Sequence, residues 1–258
     1  MHRIILTAAA CLLLTACGTK DFDAGLQLRL PPFPDGETSH YQVVTPAGVI
    51  GEHRTGVGMD WLEDIPVYRL ILVTRTMTGN IETTDSSMVL LHQPDLRPLF
   101  SFRFVTVGEA LTTTATIYRE GSVAVSTWTH TGEEKQQLLP SGAGTYDAEQ
   151  LAFLGRAVRP NPKRPAEITV VEPMGPPFGG DVRPGEFRAL GDETVTVPAG
   201  SFDCRKLGLT VGDSEFELWY EKAGTGRLVR RLALESGVAI ELMPSPPRQP
   251  EPRQDLTQ

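Results

Sequence analysis

The sequence predicts a mainly β fold in which a curved antiparallel sheet carries one short helix packed across it. Two observations lead to this fold class. Short runs rich in Val, Thr, Ile and aromatic residues recur from Tyr41 to Leu242, with turn residues between them. A single clear helical pattern covers residues 148–158. With 258 residues, of which 40% are hydrophobic, the chain can bury such a sheet within one domain.

The N-terminal residues 1–16 are predicted to be a targeting segment. Arg3 provides a positive end, and residues 4–14 form an apolar run too short to span a bilayer. The run ends in L-T-A-C, which resembles a bacterial lipoprotein signal cleaved between Ala16 and Cys17. This resemblance implies that the Cys17 thiol carries a lipid, and two or three acyl chains hold a protein stably on a membrane. An ordinary secretory signal with a chance cysteine is the alternative.

The predicted lipid anchor makes a membrane the first expected partner and the cell envelope the expected location. Gly18 follows the cysteine where an Asp could stand, so in a Gram-negative host the resemblance implies the periplasmic face of the outer membrane. A Gram-positive host would place the same anchor on the outer face of the cytoplasmic membrane. The net charge of −8 disfavours nucleic acid, because binding to phosphates depends on Lys and Arg.

Composition divides the rest of the chain into three parts. Residues 17–40 contain a Pro-Pro-Phe-Pro run and are predicted to be a semi-rigid tether, although leucines alternate over 26–30 and could dock as an edge strand. Residues 41–243 are the predicted folded domain. Residues 244–258 are rich in Pro and have too few apolar side chains to offset the entropy of ordering, so we expect a disordered tail.

The predicted strands follow one another as a meander. Turn chemistry such as Thr78-Gly79-Asn80 separates several of them. The stretch 174–185 is rich in Pro and Gly, which cannot hold a central strand, so it is predicted to be a loop. The strands are expected at 41–44, 49–51, 67–77, 87–91, 99–107, 111–118, 123–129, 167–171, 187–190, 193–197, 202–211, 215–220, 228–234 and 238–242.

The predicted helix has a clear N-terminal signature. Asp147 is placed to cap it, and Gln150 stands where a capping box requires a Glu or Gln. Tyr146 can pack on Leu151 as a hydrophobic staple. Because the apolar residues of 148–158 fall on one face, the helix should lie against the sheet.

A hairpin is predicted at 193–209, where alternating β-branched residues run into Pro-Ala-Gly and alternation then resumes. Its V-P-A-G-S-F-D-C-R-K, followed by W-Y at 219–220, resembles the signature V-P-A-G-x-F-x-C-x-K of a family of bacterial envelope domains of unknown function. The run Y-D-x-x-Q-L-x-F-L-x-R-A at 146–157 also resembles the helix of this family. The family is similar in fold to the outer-membrane lipoprotein localisation carriers, whose open β-barrels cradle acyl chains. The resemblance implies an open (half) β-barrel.

Cysteine usage leaves one thiol to explain. Cys11 leaves with the signal and Cys17 is acylated, so Cys204 is alone and cannot form an intramolecular disulfide. It is therefore either buried or reactive. We expect burial, because Cys204 shares strand parity with Phe202 and free Cys is among the most buried residue types.

Motifs that indicate an enzyme are missing from the sequence, which has no G-x-S-x-G, H-E-x-x-H, C-x-x-C or P-loop. The four histidines beyond the signal lack ligand-spaced partners, so no metal site and no cofactor are predicted. Acid pairs fall in turns or on solvent faces, where a solvated surface is the simpler interpretation. No catalytic residue can be named, and we expect a non-enzymatic protein, with a hydrolase as the less favoured alternative.

The candidate ligand-binding residues are aromatic. Phe100, Phe102 and Phe104 share one strand face, and Trp128 shares parity with its strand neighbours Ala124 and Ser126. A curved sheet with a helix across its mouth can leave a concave apolar space for a hydrophobic ligand. The alternative is that these side chains fill the core.

Basic residues cluster near the C-terminal end of the predicted domain. Arg227, Arg230 and Arg231 are interpreted as rim charges rather than as an anion site, because edge strands use basic residues to discourage pairing. Two functions from different classes follow from the sequence. The first is an anchored protein that binds or transfers a lipid or another hydrophobic ligand. The second is a structural or interaction module that contacts another envelope protein.

Overall fold

The structure is a computed structural model of the chain, and it describes residues 26, 28–29, 33–174 and 179–245. Within these residues the chain forms strands and one short helical segment, and the strands build a single open curved sheet. The predicted fold class is therefore confirmed. The predicted signal 1–16, the predicted lipid site Cys17 and nearly all of the predicted tail 244–258 lie outside the described residues.

The strands are numbered β1 to β15 in chain order. Helix α1, Leu151–Ala157, stands between β9 and β10 and follows a 3-10 turn over Ala148–Gln150. Most strands are longer than the patterns predicted. Their bounds are Glu37–Thr45, Gly48–Leu62, Ile65–Thr78, Ile81–His92, Pro98–Val107, Ala110–Arg119, Ser122–Thr129, Glu134–Pro140, Thr145–Asp147, Ala166–Glu172, Asp181–Val197, Gly200–Val211, Ser214–Glu221, Leu228–Ala233 and Ala239–Leu242.

The described strands join into one sheet with the order β8-β7-β6-β5-β4-β3-β2-β1-β15-β14-β13-β12-β11-β10-β9. Neighbours along the chain pair antiparallel, as a meander requires, and the short β9 pairs parallel with β10. The pairing of β1 with β15, in which Tyr41 stands opposite Leu242, joins the two halves of the meander. Curvature brings the two ends of the sheet together.

The two ends of the sheet meet by side-chain packing. In the part of the chain that the structure describes, no strand ladder joins β8 to β9. A separate apolar cluster lies at this closure and contains Val123, Val125, Leu139 and Val171. The fold is therefore an open barrel, because its edges approach one another without a continuous set of backbone hydrogen bonds.

The predicted hairpin is formed by β11 and β12. Val197 pairs with Gly200 across the turn, and the register continues to the pair of Gly185 and Val211. The predicted loop 174–185 is wrong for its last part, because β11 begins at Asp181. Pro184 has no N–H to donate, but its carbonyl accepts a hydrogen bond from the Gly212 N–H at 2.9 Å. The residue can therefore stand within this strand.

The N-terminal boundary of the domain also differs from the prediction. Strand β1 begins at Glu37, and Phe33 is only 2% exposed within the main core, where its ring centroid lies 4.2 Å from that of Phe153. Leu28 forms an isolated bridge with Val158, and the Arg29 N–H donates to the Ala157 carbonyl at 2.8 Å. The described part of the predicted tether 17–40 therefore packs on the barrel, because its apolar side chains are buried against the main core.

The helical segment begins at the predicted cap, although its first three residues, Ala148–Gln150, form a 3-10 turn and not the first turn of α1. The Asp147 carboxylate accepts a hydrogen bond from the Glu149 N–H at 2.8 Å, and the Gln150 side chain accepts one from the Asp147 N–H at 3.2 Å, which completes the capping box. Leu154 and Ala157 are fully buried. The Tyr220 hydroxyl donates to the Ala152 carbonyl at 2.8 Å, which ties the helix to β13. The helix thus lies against the inner face of the sheet, as its amphipathic pattern indicated.

Candidate functional site

The barrel encloses a cavity of about 610 Å³ beside α1. Pockets that hold small molecules in proteins have volumes of about 300–1,000 Å³. The walls come mainly from β1 to β4, β12 to β15 and α1 with the 3-10 turn before it, and Arg103 of β5 and Glu172 of β10 also take part. Most of the wall is apolar, with side chains that include Val57, Leu70, Leu72, Leu209, Leu218 and Ile240. The core is therefore incompletely filled by its own side chains.

Strand alternation explains the apolar wall. Leu70 and Leu72 on β3 face inward, and the residue between them, Ile71, is exposed on the outer face. On β2 the inward residues include Thr55 and Val57. Because successive residues of a strand point to opposite faces, β2 and β3 place alternate residues in the cavity wall.

Polar groups cluster at one part of the wall. The Arg103 guanidinium contacts Asp85 through Nε and Nη2, at 2.9 and 2.6 Å, and contacts Glu149 Oε1 through Nη1 at 2.8 Å. Burial raises the pKa of Glu149 to about 7, since the cation of Arg103 offsets only part of the effect of burial and of the nearby Asp85 and Asp147 carboxylates. This cluster places ionisable groups beside an otherwise apolar space.

A second ion pair joins β1 to α1. Arg156 contacts Glu37 through both terminal nitrogens, at 2.7 and 3.1 Å, and donates to the Thr225 carbonyl at 3.0 Å. Its guanidinium also lies 4.8 Å from the ring centroid of Phe33. This bidentate pair holds its charge within a fixed network, so Arg156 supports the cavity wall.

Arg231 also lines the cavity, on β14. Its Cζ lies 4.4 Å from the ring centroid of Phe216. Burial and the nearby Arg231 cation lower the pKa of His53 to about 4, so this imidazole is neutral at pH 7. The His53 ring also forms a hydrogen bond with Thr74 Oγ1 at 2.8 Å. A cation and a neutral imidazole therefore share this region of the wall.

The prediction that three arginines are rim charges is wrong for two of them. Arg227 and Arg231 line the cavity, whereas Arg230 lies on the other face of β14, with Nε 3.4 Å from Glu241 Oε1. The physical reason is strand alternation, since Arg230 and Arg231 are adjacent and must point to opposite faces. Arg227 Nε lies 3.5 Å from Glu221 Oε1.

The four aromatic candidates do not line the cavity. Phe102, Phe104 and Trp128 are 36%, 39% and 38% exposed on the outer face, and Phe100 shares that face with Phe102. In the same strand it is Arg103, of opposite parity, that reaches the cavity wall. The expected placement of these rings under the helix is thus corrected. Phe102, Phe104 and Trp128 belong to the outer stripe, defined as the exposed apolar residues Ile71, Phe102, Phe104, Ile117, Trp128 and Leu138.

The sequence reasoning missed the polar residues of the cavity. His53 and Arg103 have the parity of their strands' inward residues, and that parity was the available signal. The pairing of Asp85 with Arg103 depends on the register of β4 and β5, in which Asp85 stands opposite Val105. The sequence pattern placed Glu149 only in the first turn of the predicted helix, with no indication of a role in a site. Nothing in the local sequence indicated that these groups would meet.

Cys204 is fully buried, as predicted. Burial raises the pKa of its thiol to about 11, and the nearby carboxylate of Glu221 adds to this effect. In the described residues, no group of three or more His, Cys, Asp or Glu is placed to hold a metal ion. None of the described helices is both long and apolar enough to cross a bilayer.

Comparisons with known proteins add evidence on the fold. No family model and no curated protein matches the chain. The chain is similar to the crystal structure of a β-barrel-like protein of the domain of unknown function DUF1849 from Brucella abortus, with a TM-score of 0.54 and 10% sequence identity. The likeness covers 84% of this chain and 98% of that one. It supports a β-barrel-like fold, the coarser part of the predicted resemblance.

Proposed function

We propose that this protein is a non-enzymatic envelope lipoprotein that binds or transfers a lipid or another hydrophobic molecule in its open barrel. The observation that carries the proposal is the cavity of about 610 Å³, whose wall is mostly apolar. Each methylene group that leaves water for such a wall contributes about 0.8 kcal/mol to binding. A long hydrocarbon chain therefore has both the space and the driving force to enter.

The arrangement of charges supports binding rather than catalysis. Arg103 is held between Asp85 and Glu149, and Arg156 is held by Glu37, so these groups are engaged with one another. Such pairs stiffen the wall of a binding site. The placement of the protein in the envelope is supported by the sequence L-T-A-C at 14–17.

The test is a titration of the purified protein with Nile red, an uncharged dye that fluoresces in apolar surroundings. We expect one dye molecule to bind per chain. Ala233 lines the cavity, so Ala233→Trp should occupy part of the space and reduce dye uptake. Ala115 on the outer face of β6 is a matched control, since Ala115→Trp adds the same side chain outside the cavity.

Lipid extraction provides a second readout of the same proposal. Protein purified from its own host should release a hydrophobic molecule that native mass spectrometry detects on the intact chain. A wild-type protein that takes up no dye and releases no such molecule contradicts the proposal. Equal loss of dye uptake in Ala233→Trp and Ala115→Trp would mean that the dye does not occupy the cavity.

The outer stripe favours a second function, an interaction module that contacts another envelope protein. Its six apolar side chains are exposed on neighbouring strands, and such patches often mark interaction surfaces. Phe102→Glu separates the two functions. It should leave dye uptake unchanged, because Phe102 lies outside the cavity. If the wild type takes up no dye but is cross-linked to another envelope protein in the host cell, and Phe102→Glu abolishes that cross-link, the interaction module is favoured.

A further inference from the structure

Among the described residues of the cavity wall, Arg231 is the one arginine without a carboxylate partner. Arg103 and Arg156 each contact a carboxylate within 3 Å, and Arg227 has one at 3.5 Å. Among the residues that the structure describes, none forms an ion pair with Arg231 or accepts a hydrogen bond from it. The interaction that the structure gives its guanidinium is with the Phe216 ring, 4.4 Å away.

A guanidinium without a carboxylate partner in a mostly apolar wall raises the free energy of the unliganded protein. Burial lowers the pKa of Arg231, and the nearby Glu149 only partly restores it. Its partners on the two adjacent strands are apolar, since Arg231 stands opposite Leu218 on β13 and Ile240 on β15. A partly buried charge without a carboxylate partner is stabilised when an anion arrives, because both groups then form charge-assisted hydrogen bonds. The cavity is thus poised to accept a negative charge at this position.

We infer that the ligand of the cavity is a long-chain amphipath with a singly charged anionic headgroup, such as a carboxylate, which pairs with Arg231 while the hydrocarbon chain lies on the apolar wall. This inference rests on the proposed function and names the ligand class of the same cavity. The planar guanidinium can donate two parallel hydrogen bonds to a carboxylate. The neutral ring of His53 lies in the same part of the wall and adds no competing charge.

The charges around Arg231 favour a headgroup with one negative charge over a headgroup with two. Glu149 is close enough to influence Arg231, and so it also acts on an anion bound there. The carboxylate of Glu149 would repel a doubly charged phosphate more than a singly charged carboxylate. The remaining arginines of the wall are already paired with Asp85, Glu37 and Glu221, the last at 3.5 Å, so they are less available to the headgroup than Arg231.

The experiment compares two probes that differ only in their headgroup. Palmitate and cetyl alcohol are titrated against the Nile red complex of the full-length protein after co-purifying lipid has been removed. Arg231→Met removes the charge and keeps an apolar stem, and Arg231→Lys keeps a charge with a different geometry. Arg230→Met is the matched control, because Arg230 lies next to Arg231 on the opposite face and is paired with Glu241.

We expect Arg231→Met to weaken palmitate binding by about ten- to a hundredfold and to leave cetyl alcohol binding within about twofold. Arg231→Lys should recover part of the palmitate affinity, and Arg230→Met should bind both probes as the wild type does. Thermal melts check that each variant is folded.

The outcomes separate this inference from the proposed function. If cetyl alcohol displaces the dye and Arg231→Met binds palmitate as tightly as the wild type, the cavity binds hydrophobic molecules but Arg231 does not select an anion. The same conclusion holds if the wild type binds palmitate no more tightly than cetyl alcohol. If neither probe binds the wild type, the proposed function fails, and the inference fails with it.

Discussion

Gly155 of α1 and Tyr220 of β13 approach so closely that a Cβ at position 155 would overlap the Tyr220 hydroxyl and lie 2.8 Å from its Cζ. The same hydroxyl donates a hydrogen bond to the Ala152 carbonyl at 2.8 Å. Ala152 in turn lines the cavity. The missing side chain at Gly155 therefore lets the helix settle on the sheet and sets the position of one cavity wall.

We expect Gly155→Ala to destabilise the protein. In an exposed helix this change is usually favourable by about 1 kcal/mol, but here the added methyl group overpacks the core, which costs about 1–3 kcal/mol. The free energy of unfolding in urea is the measurement. Gly56→Ala is the control, because a Cβ there meets nothing within 4 Å. Equal stability of the two variants would mean that helix and sheet can separate at no cost.

The stability of the protein should depend on the protonation of Glu149. Its pKa in the folded state is about 7, above its usual value of 4.5, so the folded chain binds this proton more tightly than the unfolded chain. The free energy of unfolding should therefore fall as the pH rises from about 4.5 to 7, by at most about 1.4 kcal/mol per pH unit. Glu149→Gln has no titrating group at this position, so the free energy of unfolding of this variant should fall less with pH.

The measurement is urea unfolding of the wild type and of Glu149→Gln at several pH values in this range. Glu167→Gln serves as the control, because Glu167 is exposed on β10 and its profile should follow the wild type. Parallel profiles for the wild type and Glu149→Gln would show that burial does not perturb this carboxyl group.

Cys204 should be unreactive in the folded protein. Its thiol is buried, and burial raises its pKa to about 11, so little thiolate is present near neutral pH. We expect maleimide to label Cys204 only after denaturation. Ser201→Cys introduces an exposed thiol in the same strand and should be labelled rapidly without denaturant. Rapid labelling of the native wild type would restore a reactive role for Cys204.

The predicted lipid anchor can be tested in the host cell. Cys17→Ser should prevent fatty-acid labelling and move the protein from the detergent phase to the aqueous phase, because the acyl chains supply the membrane affinity. Cys11→Ser is the matched control, since Cys11 lies inside the predicted signal and its loss should leave labelling intact. Continued acylation of Cys17→Ser would exclude this cysteine as the lipid site.

Several features of the fold could be read from the sequence because they depend on neighbouring residues. The capping box of Asp147 and Gln150 involves groups three positions apart, and the hairpin at Pro198 depends on one turn. Alternation likewise grouped Phe102 with Phe104, and these two rings do share a face. Burial of Cys204 followed from the same local pattern.

What only the tertiary structure decided is which face is inside and which distant groups meet. Alternation assigns residues to two faces but treats those faces alike, so it could not place Phe102 outside or Arg231 inside. The ion pair of Arg156 with Glu37 joins residues 119 positions apart. The cavity itself depends on how far the curved sheet closes around α1. Local sequence determined the elements, and long-range packing determined the site, because burial is a property of the whole barrel.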